Sequence, residues 1–217
     1  MANTIIAGNA TNNGLAFTSD NTGTLNILSG SGSGTTALAI DASQNVTVTG
    51  TLTATNGVSG ALRSGTAVAA TSGTSIDFTS IPTGVKRVTV MFNGVSTGST
   101  NNFQIQLGTG ATPTYTISGY AGLSCQAAGN TVFSTGFIVN SNITAAGLFS
   151  GAVDILLLSG TTYIERGVIA ASTSINGCFS AGNITLGAAL TAIRVIASAT
   201  GSPSDTFDAG SINILYE

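Results

Sequence analysis

The 217-residue chain carries five basic and eight acidic side chains, no histidine and no tryptophan, and its net charge is −3. Catalysis at neutral pH usually draws on a histidine, a paired carboxylate, a lysine or an activated thiol, so this composition argues against an enzyme. It also argues against nucleic-acid binding, because the basic residues form no cluster beyond Lys86 and Arg87.

Hydrophobic residues make up 42% of the chain and charged residues only 6%, against about 25% charged in an average domain. We expect a surface rich in Ser, Thr and Asn that is partly buried in an assembly. Asp154 and Arg194 interrupt the two most apolar stretches, which are shorter than the ~20 residues of a membrane-spanning helix. We therefore expect no membrane insertion. The residues after Met1 show no basic segment followed by an apolar one, as a secretory leader would, and this predicts assembly in a host cytoplasm.

The first 60 residues contain short strand-like segments about ten residues apart, which predicts a β meander or a wrapped β arm. Residues 29–34, an alternation of Ser and Gly, predict a turn or linker that divides this arm. With Phe17 as its one aromatic residue, the arm needs a partner surface; a disordered tail is the alternative. The segments are Thr4–Ile6, Leu15–Phe17, Leu25–Leu28, Ala37–Ile40, Val46–Val48 and Leu52–Ala54.

Residues 61–217 are predicted to form a second domain, with longer strands and most of the aromatic residues. Asn102–Leu107 alternates apolar and amide residues, which predicts a half-buried antiparallel strand. Arg87–Asn93 is apolar on both faces and predicts a strand buried on both sides. Ser159–Thr161 indicates a hairpin turn. Further strands are predicted at Ser75–Thr79, Thr114–Ser118, Val132–Val139, Ala152–Leu158, Thr162–Ala170, Ile193–Ala197 and Ser211–Tyr216.

No capped amphipathic run of ten residues is present, and glycine is frequent, so no helix is predicted. The fold class expected from this pattern is all-β. Its head domain is predicted to be a jelly-roll-like antiparallel β-sandwich of about eight strands, preceded by the extended N-terminal β arm of residues 1–60. The predicted assembly is a trimer.

Cys125 and Cys178 stand 53 positions apart with no neighbouring cysteine or histidine. Structural zinc would need two further ligands at suitable spacing, so no metal site is predicted. We interpret the pair as buried, unreactive thiols. A disulfide between them and a reactive thiol are the alternatives.

Two pairs of acidic residues are candidate sites. Asp154 and Glu165 lie on the two arms of the predicted hairpin and would serve glycan hydrolysis if they faced each other. The simpler interpretation places Glu165 at a polar edge and Asp154 at an edge or near a turn. Asp205 and Asp208 would bind Ca²⁺ if further ligands joined them, but a turn stabilised by the aspartate side chain is the preferred interpretation. No catalytic, cofactor-binding or metal-binding residue is therefore predicted.

Tyr115 and Tyr120 bracket a segment that would form an exposed loop, which makes them candidates for a receptor patch. Tyrosines that are half-buried in strands are the alternative. No receptor-binding residue is assigned from the sequence.

Ala39–Leu52, which contains Ile-Asp-Ala-Ser-Gln-Asn-Val-Thr-Val-Thr-Gly-Thr-Leu, resembles a phrase near the N-termini of tail fibres and related virion proteins of tailed bacteriophages. Leu15–Leu25 is similar to the phrase that often precedes it. Ser75–Pro82 with Val85–Phe92, and the closing Ser211–Glu217, resemble a β domain of phage fibre-like proteins. The resemblance implies a homotrimer with a virion role and carries over no catalytic residue. The length leaves little room for the shaft of an elongated fibre.

These observations predict a structural virion protein that acts as a homotrimer, as a short tail fibre or receptor-binding adhesin. A capsid decoration protein is the alternative, and a polysaccharide depolymerase is a lesser one. The expected partners are further copies of the chain and other virion proteins, at the tail or baseplate or on the major capsid protein. A host surface glycan is a further partner if the head binds a receptor. No nucleic acid and no cofactor is expected.

Overall fold

The computed structural model describes residues 25–29, 35–49, 62–126, 129–140, 145, 147–172 and 177–217, and the chain divides into two units, Met1–Ser59 and Gly60–Glu217. All regular secondary structure in these ranges is β, and all strand pairs are antiparallel, which confirms the predicted all-β class. The described residues hold no helix of the length and hydropathy needed to cross a membrane. The predicted segments Thr4–Ile6, Leu15–Phe17 and Leu52–Ala54 lie outside the described residues.

The first unit contains a three-stranded antiparallel sheet formed by β1 (Leu25–Ser29), β2 (Thr35–Ile40) and β3 (Val46–Val48). Ser29 pairs with Thr35, so the Ser-Gly segment joins two neighbouring strands of one sheet. The β2–β3 turn is closed by Asp41, whose carboxylate accepts hydrogen bonds from the backbone N–H groups of Ser43 and Asn45 at 2.9 Å. The Asn45 side chain also donates to Asp41, and these bonds lower the pKa of Asp41.

The second unit contains two sheets. The five-stranded sheet, called the small sheet, has the order β12 (Phe137–Ile138), β8 (Phe103–Thr109), β16 (Leu190–Ala197) and β6 (Ser75–Phe78), with β9 (Thr114–Tyr115) paired to β8. The nine-stranded sheet, called the large sheet, has the order β11 (Gly129–Phe133), β10 (Ala121–Gln126), β15 (Gly177–Thr185), β14 (Thr162–Ala171), β13 (Phe149–Ser159), β7 (Arg87–Thr97), β17 (Phe207–Tyr216) and β4 (Arg63–Ser64). Its ninth strand, β5 (Val68–Ala69), also pairs with β17.

Phenylalanine rings join the two sheets in one hydrophobic core. Phe103 on the small sheet lies 6.0 Å from Phe92, 5.7 Å from Phe149 and 6.1 Å from Phe207, measured between ring centroids, and these three rings belong to the large sheet. All except Phe92 are fully buried. The second unit is therefore a two-layer β-sandwich.

The chain crosses repeatedly between the layers. From β6 to β17, and apart from the hairpins β10–β11 and β14–β15, the strands alternate between the sheets in chain order, except that β8, β9 and β12 follow one another in the small sheet. β6 and β16 also lie in the small sheet, and β7, β13 and β17 lie in the large sheet. The hairpins β10–β11 and β14–β15 add four strands to one end of the large sheet. These additions bring the described strands of the unit to fourteen, against the eight predicted.

Most predicted strands are present, and the predicted hairpin joins β13 to β14. Val132–Val139 is not one strand, because β11 ends at Phe133 in the large sheet and β12 begins at Phe137 in the small sheet. Strands β10 and β15 were not predicted. Their sequences, Ala-Gly-Leu-Ser-Cys-Gln and Gly-Cys-Phe-Ser-Ala-Gly-Asn-Ile-Thr, lack a continuous run of β-branched or aromatic residues.

The antiparallel strand predicted at Asn102–Leu107 is present as β8, but the prediction that it is half-buried was wrong. Gln104 and Gln106 are each 1% exposed, because loops cover the outer side of β8. Their amide groups hydrogen-bond to backbone carbonyls in these loops, which offsets the cost of burying them. In β7, by contrast, Val88, Val90 and Phe92 are buried while the opposite face is half-buried, so that strand is not fully enclosed.

Candidate interaction surface on the large sheet

The face of the large sheet that points away from the core exposes large apolar side chains. Along β14 the side chains alternate, so that Tyr163 is buried while Ile164 and Val168 are exposed. Val168 is 65% exposed, and Phe179, its direct partner on β15, is 61% exposed. Ile164, Val168 and Phe179 are here called the outer apolar face.

Small or apolar residues continue this surface onto neighbouring strands. In one row across the sheet, Cys125 of β10 pairs with Phe179, Phe179 with Val168, and Val168 with Ala152 of β13. In the next row, Ala181 of β15 lies between Leu123 and Arg166. Val132 lies beyond Leu123 and is 79% exposed. Neighbouring exposed apolar side chains on a sheet face are typical of a protein interaction site.

One polar cluster lies within this surface. The Thr89 hydroxyl donates a hydrogen bond to Asp154 Oδ1 at 2.7 Å, and Arg166 Nε donates to Asp154 Oδ2 at 3.2 Å. The Arg166 side chain is 70% exposed, so its attraction to Asp154 adds little stability. Because Arg166 balances the charge of Asp154, the cluster leaves the surface without net charge. A shallow depression of about 350 Å³ lies between this pair and Val168.

Glu165 lies on the opposite face of the same sheet. Asp154 pairs with Arg166 and Glu165 pairs with Ile155, so the two carboxylates point to opposite faces and do not face each other as glycan hydrolysis would require. Glu165 is 3% exposed and accepts a hydrogen bond from the Ser180 hydroxyl at 2.5 Å. Burial raises its pKa to about 7, although the Ser180 hydrogen bond acts in the other direction. β13 lies between β7 and β14, and β14 lies between β13 and β15, so neither acid is at a sheet edge. The interpretation that Glu165 lies at a polar edge was wrong.

The two cysteines form no disulfide. Cys178 is buried, and its thiol donates a hydrogen bond to Gln126 Oε1 at 3.3 Å. Cys125 pairs with Phe179, the residue after Cys178, and is therefore on the outer side of the sheet, where it is half-buried. The interpretation as buried thiols thus holds fully for Cys178 and in part for Cys125.

Asp205 and Asp208 bind separate serine hydroxyls. Ser99 donates to Asp205, and Ser96 donates to Asp208, which belongs to strand β17 and not to the preceding loop. The Ser96–Asp208 contact connects β7 to β17, and the Ser99–Asp205 contact connects the loop after β7 to the loop before β17. Within the described ranges, no group of three histidine, cysteine or acidic residues is placed to hold a metal ion.

The two candidate tyrosines do not form an exposed patch. Tyr120 is 3% exposed, and its hydroxyl accepts a hydrogen bond from the Leu107 N–H at 2.8 Å. Tyr115 lies beneath the Arg194 guanidinium, whose carbon is 3.9 Å from the ring centroid, and burial raises the pKa of Tyr115. Asp77 holds Arg194 in place through two hydrogen bonds of 2.7 and 2.8 Å. Both tyrosines therefore stabilise the small sheet.

The sequence did not single out Ile164, Val168 or Phe179. The alternation along Thr162–Ala170 indicates two faces, but both carry apolar residues, so the pattern does not identify the exposed face. For Phe179 the strand itself was not predicted.

No protein-family model, curated protein or solved structure matches this chain.

Proposed function

We propose that this protein is a non-catalytic structural protein of a tailed-bacteriophage virion, and that it assembles with further copies of itself. The outer apolar face carries this proposal, because Phe179 and Val168 form adjacent exposed apolar side chains in a chain with few charges. Burial of apolar area is the main favourable contribution to such association. The virion setting is supported by the resemblance of Ala39–Leu52 to tail-fibre sequences.

The proposed occupant of the outer apolar face is a second copy of the chain. Most soluble oligomers are symmetric homo-oligomers, and a face without net charge meets its own copy without repulsion. Arg166 compensates Asp154 within each subunit, so several copies that pack through this face around a shared symmetry axis bring no unpaired charge into contact. A trimer is the form that the phage resemblance implies.

We also propose that the second unit is a jelly-roll-like sandwich. Its support is the strand order, in which β4, β17, β7 and β13 of the large sheet oppose β6, β16, β8 and β12 of the small sheet. Consecutive strands change sheet at β6–β7, β7–β8, β12–β13 and β16–β17, as in sandwiches built from Greek keys. On this interpretation β10, β11, β14 and β15 are hairpins added to the jelly roll.

The proposed role without catalysis is supported by the placement of the acids. Hydrolysis of a glycoside usually uses two carboxyl groups on either side of the bond that is cleaved. Asp154 and Glu165 lie on opposite faces of one sheet, and Glu165 is inaccessible to a polymer. The depolymerase alternative therefore has no support from this pair.

The oligomer is tested by measuring the mass of the purified protein in solution with light scattering after size exclusion. We expect the mass of three chains for the native protein and a smaller species for Phe179→Ser, because the substitution removes an apolar contact from the interface. Ile117→Ser is the matched control. Ile117 is an exposed apolar residue like Phe179, with 54% of its surface exposed, but it lies in the loop between β9 and β10.

A monomeric native protein at micromolar concentration would contradict the proposed assembly. Equal effects of Phe179→Ser and Ile117→Ser would contradict the assignment of the interface to the large sheet. Immunogold labelling of particles then tests location: label on the tail or baseplate supports a short tail fibre, label over the head supports a decoration protein, and unlabelled particles contradict the virion role.

A further inference from the structure

A groove of about 320 Å³ lies at the end of the sandwich where β8 begins and β16 ends. The residues that line it come from the β7–β8 loop, from β11 and the turn after it, from β12, and from the segment after β16. Backbone hydrogen bonds hold these segments together, since Ser198 N donates to Asn102 O at 3.1 Å and Val139 N to Phe103 O at 3.1 Å. The volume is at the lower end of the range for small-molecule sites.

Buried amide groups fix the walls of the groove. Gln104 Nε2 donates to Ser198 O at 2.6 Å, and Gln106 Nε2 donates to Thr135 O at 3.0 Å and to Gly201 O at 2.7 Å. The Thr135 hydroxyl donates to Gln104 Oε1 at 3.1 Å. Because both glutamines are 1% exposed, water competes little for these bonds. The walls therefore need little ordering when a ligand binds.

The lining combines polar but uncharged groups with a small apolar floor. Seven of its eleven described residues carry a hydroxyl or amide, and none carries a charge. The side chains of Asn101, Asn102 and Thr131 form no hydrogen bond with the described part of the protein, so they are available to a ligand. Phe133 and Ile138 also line the groove and are 2% and 7% exposed, so they form its buried apolar part.

We propose that this groove binds a neutral sugar residue. Hydroxyl and amide side chains both donate and accept hydrogen bonds, which matches sugar hydroxyl groups that do the same. An anionic or cationic ligand would lose its hydration without meeting an opposite charge. The apolar faces of Val132 and Ala199 at the rim contact the C–H face of the sugar ring. Val132 also borders the outer side of the large sheet, but the outer apolar face itself lies on β14 and β15, so this site does not require the oligomer proposed above.

The test uses the full-length protein and saturation-transfer NMR with the methyl glycosides of glucose, galactose, mannose, rhamnose and N-acetylglucosamine. Glucuronic acid and glucosamine are the charged comparators. We expect saturable, millimolar binding of at least one neutral glycoside and no binding of the charged sugars.

Two variants assign the binding to the groove. Ala199→Trp fills it and is expected to weaken binding by about tenfold or more, equivalent to a change of about 1.4 kcal/mol. Thr131→Val removes one hydroxyl with little change in shape and is expected to weaken binding less. Ala111→Trp is the control, because Ala111 is exposed in the turn after β8, at the opposite end of that strand. Circular dichroism establishes that each variant is folded.

Saturable binding that Ala199→Trp and Thr131→Val weaken, and that Ala111→Trp leaves unchanged, supports the site. Three results overturn it: no binding of any neutral glycoside in the panel, preferential binding of a charged sugar, or equal binding by the native protein and folded Ala199→Trp and Thr131→Val. If the protein is monomeric but binds a neutral glycoside, the result would contradict the proposed oligomer and would still support the sugar site.

Discussion

Asp154 and Glu165 show how neighbouring strands give two acidic residues different environments. Asp154 lies on the outer side of the sheet beside Arg166 and Thr89, whereas Glu165 is buried on the core side beside Ser180. The sequence presents both as single acids within apolar strands, and it cannot show which face each occupies. The register between β13 and β14 decides this, since a shift of one residue exchanges the two faces.

Glu165→Gln is expected to remove a loss of stability that the native protein undergoes between pH 4 and pH 8. The folded-state pKa of about 7 lies above the ordinary glutamate value of 4.5, so the folded protein holds this proton more strongly than the unfolded chain. The native protein therefore loses stability as the pH rises from about 4.5 to about 7, by about 2–4 kcal/mol in total. Glutamine does not ionise and removes this loss. Urea unfolding midpoints at both pH values measure it.

Glu217→Gln is the control for this prediction. Glu217, the other described glutamate, is about one-third exposed and forms a salt bridge with Arg87 at 2.7 Å. Its removal is expected to leave the stability difference between pH 4 and pH 8 almost unchanged. If Glu165→Gln shows the same pH dependence as the native protein, the carboxyl group of Glu165 is not the cause of that dependence.

At the scale of single elements, the pairing of β10 with β15 depends on glycine. Gly122 and Gly182 are direct partners in these strands, and the ring of Phe133 covers them. A Cβ at residue 182 would lie 2.7 Å from two Phe133 ring atoms and 2.8 Å from the backbone oxygen of Ala121. Glycine within a strand often indicates such a close approach, and here it also weakens the strand pattern in the sequence.

Gly182→Ala is expected to destabilise the protein by about 1–3 kcal/mol, because the added methyl group must displace Phe133 or separate the two strands. Gly177→Ala in the same strand is the control, since a Cβ there has no atom of the described residues within 4 Å. Chemical denaturation of the two variants and the native protein measures the difference. Equal stabilities of the two variants would contradict the role assigned to the Phe133 contact.

The buried amides of β8 are a second case in which an element differs from its pattern. Alternating Gln and apolar residues predicted one face in water, yet both faces are buried. The loops that cover Gln104 and Gln106 belong to residues about 30 and 95 positions further along the chain. A local pattern cannot contain that information, because it depends on which distant segments return to the strand.

For the whole molecule, the division into two units bears on assembly. The second unit has its own hydrophobic core, formed by residues from Ala70 to Ile214, whereas the sequence predicts that the first 60 residues need a partner surface. Self-association through the outer apolar face and attachment through the first unit would then be separate functions.

Deletion of residues 1–60 is expected to leave a folded second unit that no longer enters phage particles. Its folding is expected because the core residues lie beyond the deleted segment. A cooperative thermal transition and a β-type circular dichroism spectrum measure folding, and immunoblots of purified particles measure incorporation. Incorporation at the native level would contradict the attachment role of residues 1–60.

The sequence by itself determined the all-β class, most strand positions and the scarcity of charge. These properties follow from side-chain alternation, glycine frequency and composition, which are local or additive. Only the tertiary structure decided which face of the large sheet is exposed, where Glu165 is buried, and which loops form the groove beside Asn101 and Thr131. The physical reason is that strand register and sheet packing join residues far apart in the chain, and these contacts determine the burial of each side chain.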